Sequence, residues 1–301
     1  MAASQLQIDL LNLPVEALRT LIDRGRLSPP PRGATKLEYV NVLTSQLSDA
    51  QIEELAGDML YAGQTSVTWI RLGDGDPIDA NVLAQAIQEV VGDDPFSKSL
   101  RPTVTTRPKL VEAKVRDDGK FVLVFVVSKH VRTIVSNFTL ETVHEDHFFL
   151  AVIRLDEGVV EVRASHDRAR TLANTLLAEL AAELDTELTL LAITEDELAA
   201  LKEELGAKLH RYRGKDAKGS PIDIQDLYKA DDCDDLDAEA VFKDQVKDCQ
   251  AVQVLWAFDY DGAREVKLQV STRNGSVWFR SAVPEEVIDH VFQRLRAVKG
   301  L

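Results

Sequence analysis

Apolar residues in the first 62 positions recur at helical spacing. Val15, Leu18, Leu21 and Ile22 form one stripe behind Pro14, which suits a helix's first turn. Gly25 and the prolines 29–31 end that helix. A second helix is expected from Thr35 to Leu47, with Leu37, Val40, Val42 and Leu43 as its apolar stripe. A third starts at Ser48, where Asp49 and Gln51–Glu54 put acid near the helix start. Leu55, Met59 and Leu60 would face the other two. Ser66–Leu72 reads as a short strand, Gly73–Pro77 as a turn and Ile78–Val91 as a helix ending at Gly92. Residues 93–108 contain Pro95, Pro102 and Pro108 and read as irregular.

The pattern then changes to period two. Leu110–Val115 alternates, with Glu112, Lys114 and Arg116 on the wet side, and Asp117, Asp118 and Gly119 signal a hairpin turn. Phe121–Val127 is continuously apolar, as for a strand covered on both faces. Phe148–Leu155 and Val159–Ala164 form a second hairpin, and a long helix follows from Ser165 to Leu184 with Leu172, Leu176, Leu180 and Leu184 inward. The last third repeats this order. Val252–Tyr260, Glu265–Val270 and Val277–Arg280 read as strands, with Asn274–Gly275 as a type I′ turn signal. Pro284 opens a terminal helix with Val287, Ile288, Val291, Phe292 and Leu295 inward.

These elements predict an α+β protein: a helical N-terminal domain (1–92), then two antiparallel sheets, each closed by a long helix (93–205 and 206–301). A sheet covered on one side leaves its other face free. That face would carry Lys114, Arg116, Arg154 and Arg163 on the first sheet. On the second it would carry Lys267, Gln269, Trp278 and Arg280. Such cations read either as solvated charge or as a surface for phosphates and bases.

Charge sharpens the second reading. The chain of 301 residues carries −15, yet Lys98–Arg132 holds nine Lys/Arg against three acids and Lys208–Lys218 five against one. The acids cluster instead in Glu179–Glu204 and Asp223–Asp248. Segregation of this kind suits contact with an anion or an acidic partner. The run Lys208, His210, Arg211, Arg213, Lys215, Lys218 is expected to be a basic edge strand entering a loop, which also resists aggregation.

Local chemistry adds little. His144, Glu145, Asp146 and His147 read as a polar turn before Phe148, since two such imidazoles do not converge on one metal. The acidic stretch Asp231–Asp237 resembles a calcium loop but lacks its Gly and final Glu, and reads as a solvated loop competing for the basic patches. No nucleophile, Gly-rich phosphate loop or metal motif is present, so no catalytic residue, metal or cofactor is expected. Cys249 reads as a small buried hydrophobe. Two cysteines and the absence of a signal or membrane-spanning pattern point to a cytoplasmic protein with no membrane partner.

The stretches LLNLPVEALRTLIDRGRL, SDAQIEELAGDMLYAGQTSVTWIRL, PIDANVLAQAIQEVV, KLVEAKVRDDGKFVLVFVV and HFFLAVIRLDEGVVEVRASHDRARTLANTLLAEL follow an order that resembles the centromere protein N family of inner-kinetochore subunits, over residues 10–184. The resemblance implies a death-fold-type helical domain, an open sheet, DNA binding through basic residues and a protein partner at the C-terminal sheet. It brings in Arg19, Arg24, Arg26, Arg32 and Lys36 of the helical unit, and the 98–132 cluster with Arg101, Arg107, Lys109, Lys114 and Arg116. The N-terminus, LPVEALRTLIDRGRL followed by GATKLEYVNVL, is also similar to a SAP module of DNA-binding proteins. The leading expectation is therefore a non-enzymatic DNA-binding adaptor. The alternative is a protein–protein scaffold, or a self-associating protein whose acidic and basic surfaces meet.

Overall fold

A computed structural model of the chain describes residues 5–13, 15–56, 66–116, 119–136, 139–225, 235–262, 264–281 and 283–301. Helices take 37% and strands 34%, so the α+β class holds. The chain forms two compact units, one of residues 66–192 and one of residues 1–65 with 193–301. The expected boundaries lie elsewhere, at 92 and 205.

Among the described residues four helices precede the first strand: α1 (Gln5–Asn12), α2 (Val15–Arg24), α3 (Lys36–Gln46) and α4 (Asp49–Ala56). Both later starts are fixed by reciprocal caps. Thr35 accepts from Glu38 N while Glu38 accepts from Thr35 N, and Ser48 and Gln51 repeat the arrangement. Each cap satisfies two orphan N–H groups at a helix start. Leu10, Leu18, Leu21, Ile22, Val40, Leu43 and Ile52 make the shared core. Leu37, expected in the apolar stripe, turns outward, and Tyr39, which was not expected there, is buried instead. The expectations for Pro14, Met59 and Leu60 lie outside the described residues.

In the unit 66–192 the strands are β1 (Ser66–Leu72), β2 (Lys109–Arg116), β3 (Phe121–Ser136), β4 (Thr139–Arg154), β5 (Val159–Arg163) and β6 (Leu188–Leu190). They pair antiparallel in the order β2-β3-β4-β5-β1, with β6 on β1. Register puts Val122, Ile153, Val160 and Ile70 in one row across four strands. Against it pack Leu83 and Ile87 of α5 (Ala80–Val91), and Leu172, Leu177 and Leu180 of the helix that follows β5. That helix runs as α6 (His166–Leu172), a π-helical turn (Ala173–Leu177) and α7 (Ala178–Glu183). The extra residue of the π-turn moves full burial from Leu176 to Leu177.

In the region 193–301 the strands are β7 (Lys208–Lys215), β8 (Pro221–Gln225), β9 (Gln250–Tyr260), β10 (Arg264–Ser271) and β11 (Val277–Phe279), ordered β11-β10-β9-β7-β8. Register aligns Tyr212, Val254, Val270 and Val277. The helices are α8 (Glu195–Leu205), the short α9 (Ala240–Val246) and α10 (Glu285–Lys299). All five inward residues expected of α10 are buried. α8 packs beside it through Lys299–Glu197 (2.8 Å) and Arg294–Glu204 (3.0 Å).

Several expectations are corrected. The arrangement of two sheets, each closed by one long helix, does not hold. β1, expected within the helical N-terminal domain, is an interior strand beside β5, and each region uses two principal helices, α5 with α6–α7 and α8 with α10. The polar turn expected at 144–147 is strand: β3 and β4 run on past their outer neighbours as a two-stranded ribbon. β7 is not an edge, because β8 covers its outer side. The turn at Asn274–Gly275 is not type I′. Only Gly275 has positive φ (62°), within a longer loop closed by Ser271 N to Ser276 O. Cys249 is half-buried, its thiol bonded to Gln245 O.

Candidate functional site

The connection from α2 to α3 holds the first basic group. α2 ends through Gly25 N to Leu21 O (2.8 Å) and Leu27 N to Ile22 O (3.0 Å). This closure places Arg26 at φ 52°, a left-handed position that normally selects Gly. From Arg24 to Leu37 the chain has four cations and no acid. Among the described residues, Arg26, Arg32 and Lys36 have no ion-pair partner. Arg24 reaches the Leu55 carbonyl, at 3.5 Å. Arg19 is committed differently: its Nε donates to the Tyr39 hydroxyl at 3.1 Å and its guanidinium lies over that ring.

The second group divides. Arg107 is ion-paired with Glu179, and Lys114 sits 3.6 Å from Glu112 and over the Phe125 ring. Arg116 is half-buried. Arg101 and Lys109 have no ion-pair partner among the described residues and line a cleft beside α5.

The third group is neutralised in part. β7–β8 pairing sets Arg213 opposite Asp223, whose carboxylate takes Arg211 at 2.8 and 2.6 Å and Arg213 at 3.0 Å. These hydrogen bonds, Arg211's first, hold Asp223 at about 2. Lys208, Lys215 and Lys218 are exposed. Nearby, Asp235 and Asp237 both take Lys202, and Asp235 accepts from Leu209 N at 2.8 Å. Part of the acidic stretch thus clamps β7 to α8; Asp231–Asp234 lie outside the described residues.

The expected free faces behave differently. Lys267, Trp278 and Arg280 are exposed, with Arg280 stacked over Trp278 at 4.2 Å. Arg154 and Arg163, by contrast, are 3% and 7% exposed, which corrects their placement on an open face. Both grip the fully buried Glu161: Arg154 at 3.0 Å, Arg163 at 2.7 Å, with the Trp69 indole N–H at 3.2 Å. Burial alone would raise the Glu161 carboxyl, but the two guanidiniums and the indole bring it down to about 2. The only foretaste of this cluster in the sequence is Glu161 itself, an acid inside the apolar run VVEVR.

On the β3–β4 ribbon, Val135 and Leu140 pair across the strands and are 73% and 76% exposed. The β3 strand from 128 to 136 carries Lys129, His130 and Arg132 and no acid; the facing β4 segment carries Glu141, Glu145 and Asp146. His144 and Asp146 share one ribbon face and Glu145 and His147 the other, so the two imidazoles diverge. Among the described residues no group of three or more potential ligands could hold a metal ion. No helix among them is long and apolar enough to cross a membrane. Compared with known proteins, the chain matches no family model and no curated protein.

Proposed function

We propose that the protein is a non-enzymatic DNA-binding adaptor that meets phosphates through the connection between α2 and α3. One observation carries this reading: four cations without an acid between Arg24 and Leu37, in a chain of net charge −15. Phosphate contacts of this kind fix position but read no bases, so binding is sequence-tolerant. Arg211 and Arg213, whose charge Asp223 already meets, contribute little. The strained backbone of Arg26 supports the reading, since strain retained at an exposed cation calls for a role.

Filter binding of a short duplex tests it. With about three phosphates contacted, the log–log salt slope is about −2.7, or roughly 40-fold between 50 and 200 mM. The triple variant Arg26→Ala, Arg32→Ala, Lys36→Ala loses retention, while Arg211→Ala with Arg213→Ala keeps it. Absence of wild-type retention at low salt overturns the reading; equal loss in both variants overturns the assignment to this connection.

The ribbon favours a second reading, a self-associating scaffold. Residues 128–136 of β3 are basic and 139–147 of β4 acidic, so a second copy's β4 added beside β3 sets opposite charges side by side. Sedimentation velocity across protein concentrations decides. The expected result is a concentration-dependent dimer or larger oligomer that Val135→Lys with Leu140→Lys reduces to monomer. A wild-type monomer at the highest soluble concentration refutes it.

A further inference from the structure

A cleft of about 590 Å³ opens between the end of α5, the irregular stretch after Leu100 and the α6–α7 helix. This lies within the range of about 300–1,000 Å³ typical of small-molecule sites. Its floor is apolar, built by Val91, Leu110 and Leu176. A narrow void of about 10 Å³, lined only by apolar side chains, shares those three residues and continues the floor toward Val124 and Ile153. Two acids and two cations complete the wall. The acids are already answered: Asp93 by Lys98 at 2.9 Å, and Glu179 by Arg107. The cations, Arg101 and Lys109, are not. The lining therefore joins an apolar floor to two unmatched positive charges, the complement of an amphiphile with one anionic end.

The backbone beneath supports a site. The π-helical turn Ala173–Leu177 lies under the cleft and puts Leu176, half-buried, at its floor while Leu177 enters the core. A π-turn costs regular helix hydrogen bonding and is found most often where a site needs a side chain displaced. Here Leu176 lines both the cleft and the void.

We propose that this cleft binds an aliphatic carboxylate of medium chain length, its carboxylate between Arg101 and Lys109 and its tail on Val91, Leu110 and Leu176. The site is separate from the α2–α3 connection and stands or falls without it.

Calorimetric titration of the full chain with decanoate, below its micelle concentration, tests the proposal. One saturable site per chain is expected. Decanol, which keeps the tail without the charge, and decyltrimethylammonium, which reverses it, bind more weakly by about tenfold or more, as expected from loss of a charge-assisted hydrogen bond. Arg101→Ala with Lys109→Ala weakens decanoate by a similar factor; both side chains lie outside the core, so folding is preserved. Leu176→Trp, confirmed to melt cooperatively, fills the floor and abolishes binding. The triple variant of Arg26, Arg32 and Lys36 binds decanoate as the wild type does. Absence of saturable decanoate binding overturns the proposal. Equal affinity for decyltrimethylammonium, or unchanged affinity in the Arg101 and Lys109 variant, does so as well.

Discussion

On β4 and β5, Arg154 and Arg163 alternate with apolar residues much as Lys267 does on β10 and Arg280 does beyond β11. By period alone the two sets read alike, as outward cations on a half-covered sheet. In the first set the face is buried, and the guanidiniums close on Glu161 with Trp69 as a third donor. In the second the face meets solvent, and Arg280 lies over the exposed Trp278 ring. Alternation therefore reports which side of a strand a residue occupies. Whether that side is covered depends on the row it joins. Glu161 stands in register with Val152 and Trp69, both buried, while Lys114 at the outer end of the same row stays half-exposed.

The largest effect that separates the two faces comes from Glu161→Ala. It leaves two buried guanidiniums without their shared counter-charge and should cost about 3–5 kcal/mol, read as a lower urea midpoint with an unchanged slope. A loss below about 1 kcal/mol would show that the cluster is solvated after all. Acid titration gives the next largest effect. Glu161 is held at about 2 in the folded chain against 4.5 for the free group. A carboxyl with a depressed folded value contributes stability above its unfolded value and loses it as pH falls toward the folded one. The window is thus pH 4.5 down to about 2, and the loss on the order of 3 kcal/mol. Asp223 is held equally low, yet its carboxylate is exposed, so its share of acid sensitivity is small. Urea unfolding at pH 7 and pH 3 should therefore differ strongly in the wild type and much less in Glu161→Gln.

The same contrast explains what the residues disclosed and what they withheld. The stripe of α10 and the starts of α3 and α4 were legible because helix period and start residues are local signals. α8 was hidden by composition: its acids outnumber the apolar stripe Leu198, Leu201 and Leu205 that follows the reciprocal cap of Thr194 and Glu197. The ribbon was missed because Lys129–Ser136 and Thr139–His147 have polar residues on both faces, so no alternation marks them. Neutralisation was the least legible feature. Asp223 meets Arg211 and Arg213 through β7–β8 pairing, and the bulges in β7 set which side chains share a side. Basic clusters counted along the chain thus overstated the free positive surface: the α2–α3 connection kept its charge, while Arg211 and Arg213 did not.

The smallest predicted effect tests the open face. Arg280→Ala removes a cation stacked at 4.2 Å over a partly exposed indole, and should cost no more than about 0.5–1 kcal/mol. Fluorescence reports the same face independently. Of the three tryptophans, Trp69 and Trp256 are buried and Trp278 is 37% exposed. Acrylamide should quench one emitting component of the native protein, and Trp278→Phe should remove that component while leaving the unfolding midpoint nearly unchanged. A cost for Arg280→Ala approaching that of Glu161→Ala, or quenching that survives Trp278→Phe, would mean that this face is covered as the β4–β5 face is. The difference between the two sets of cations would then have to come from the acid at position 161 alone.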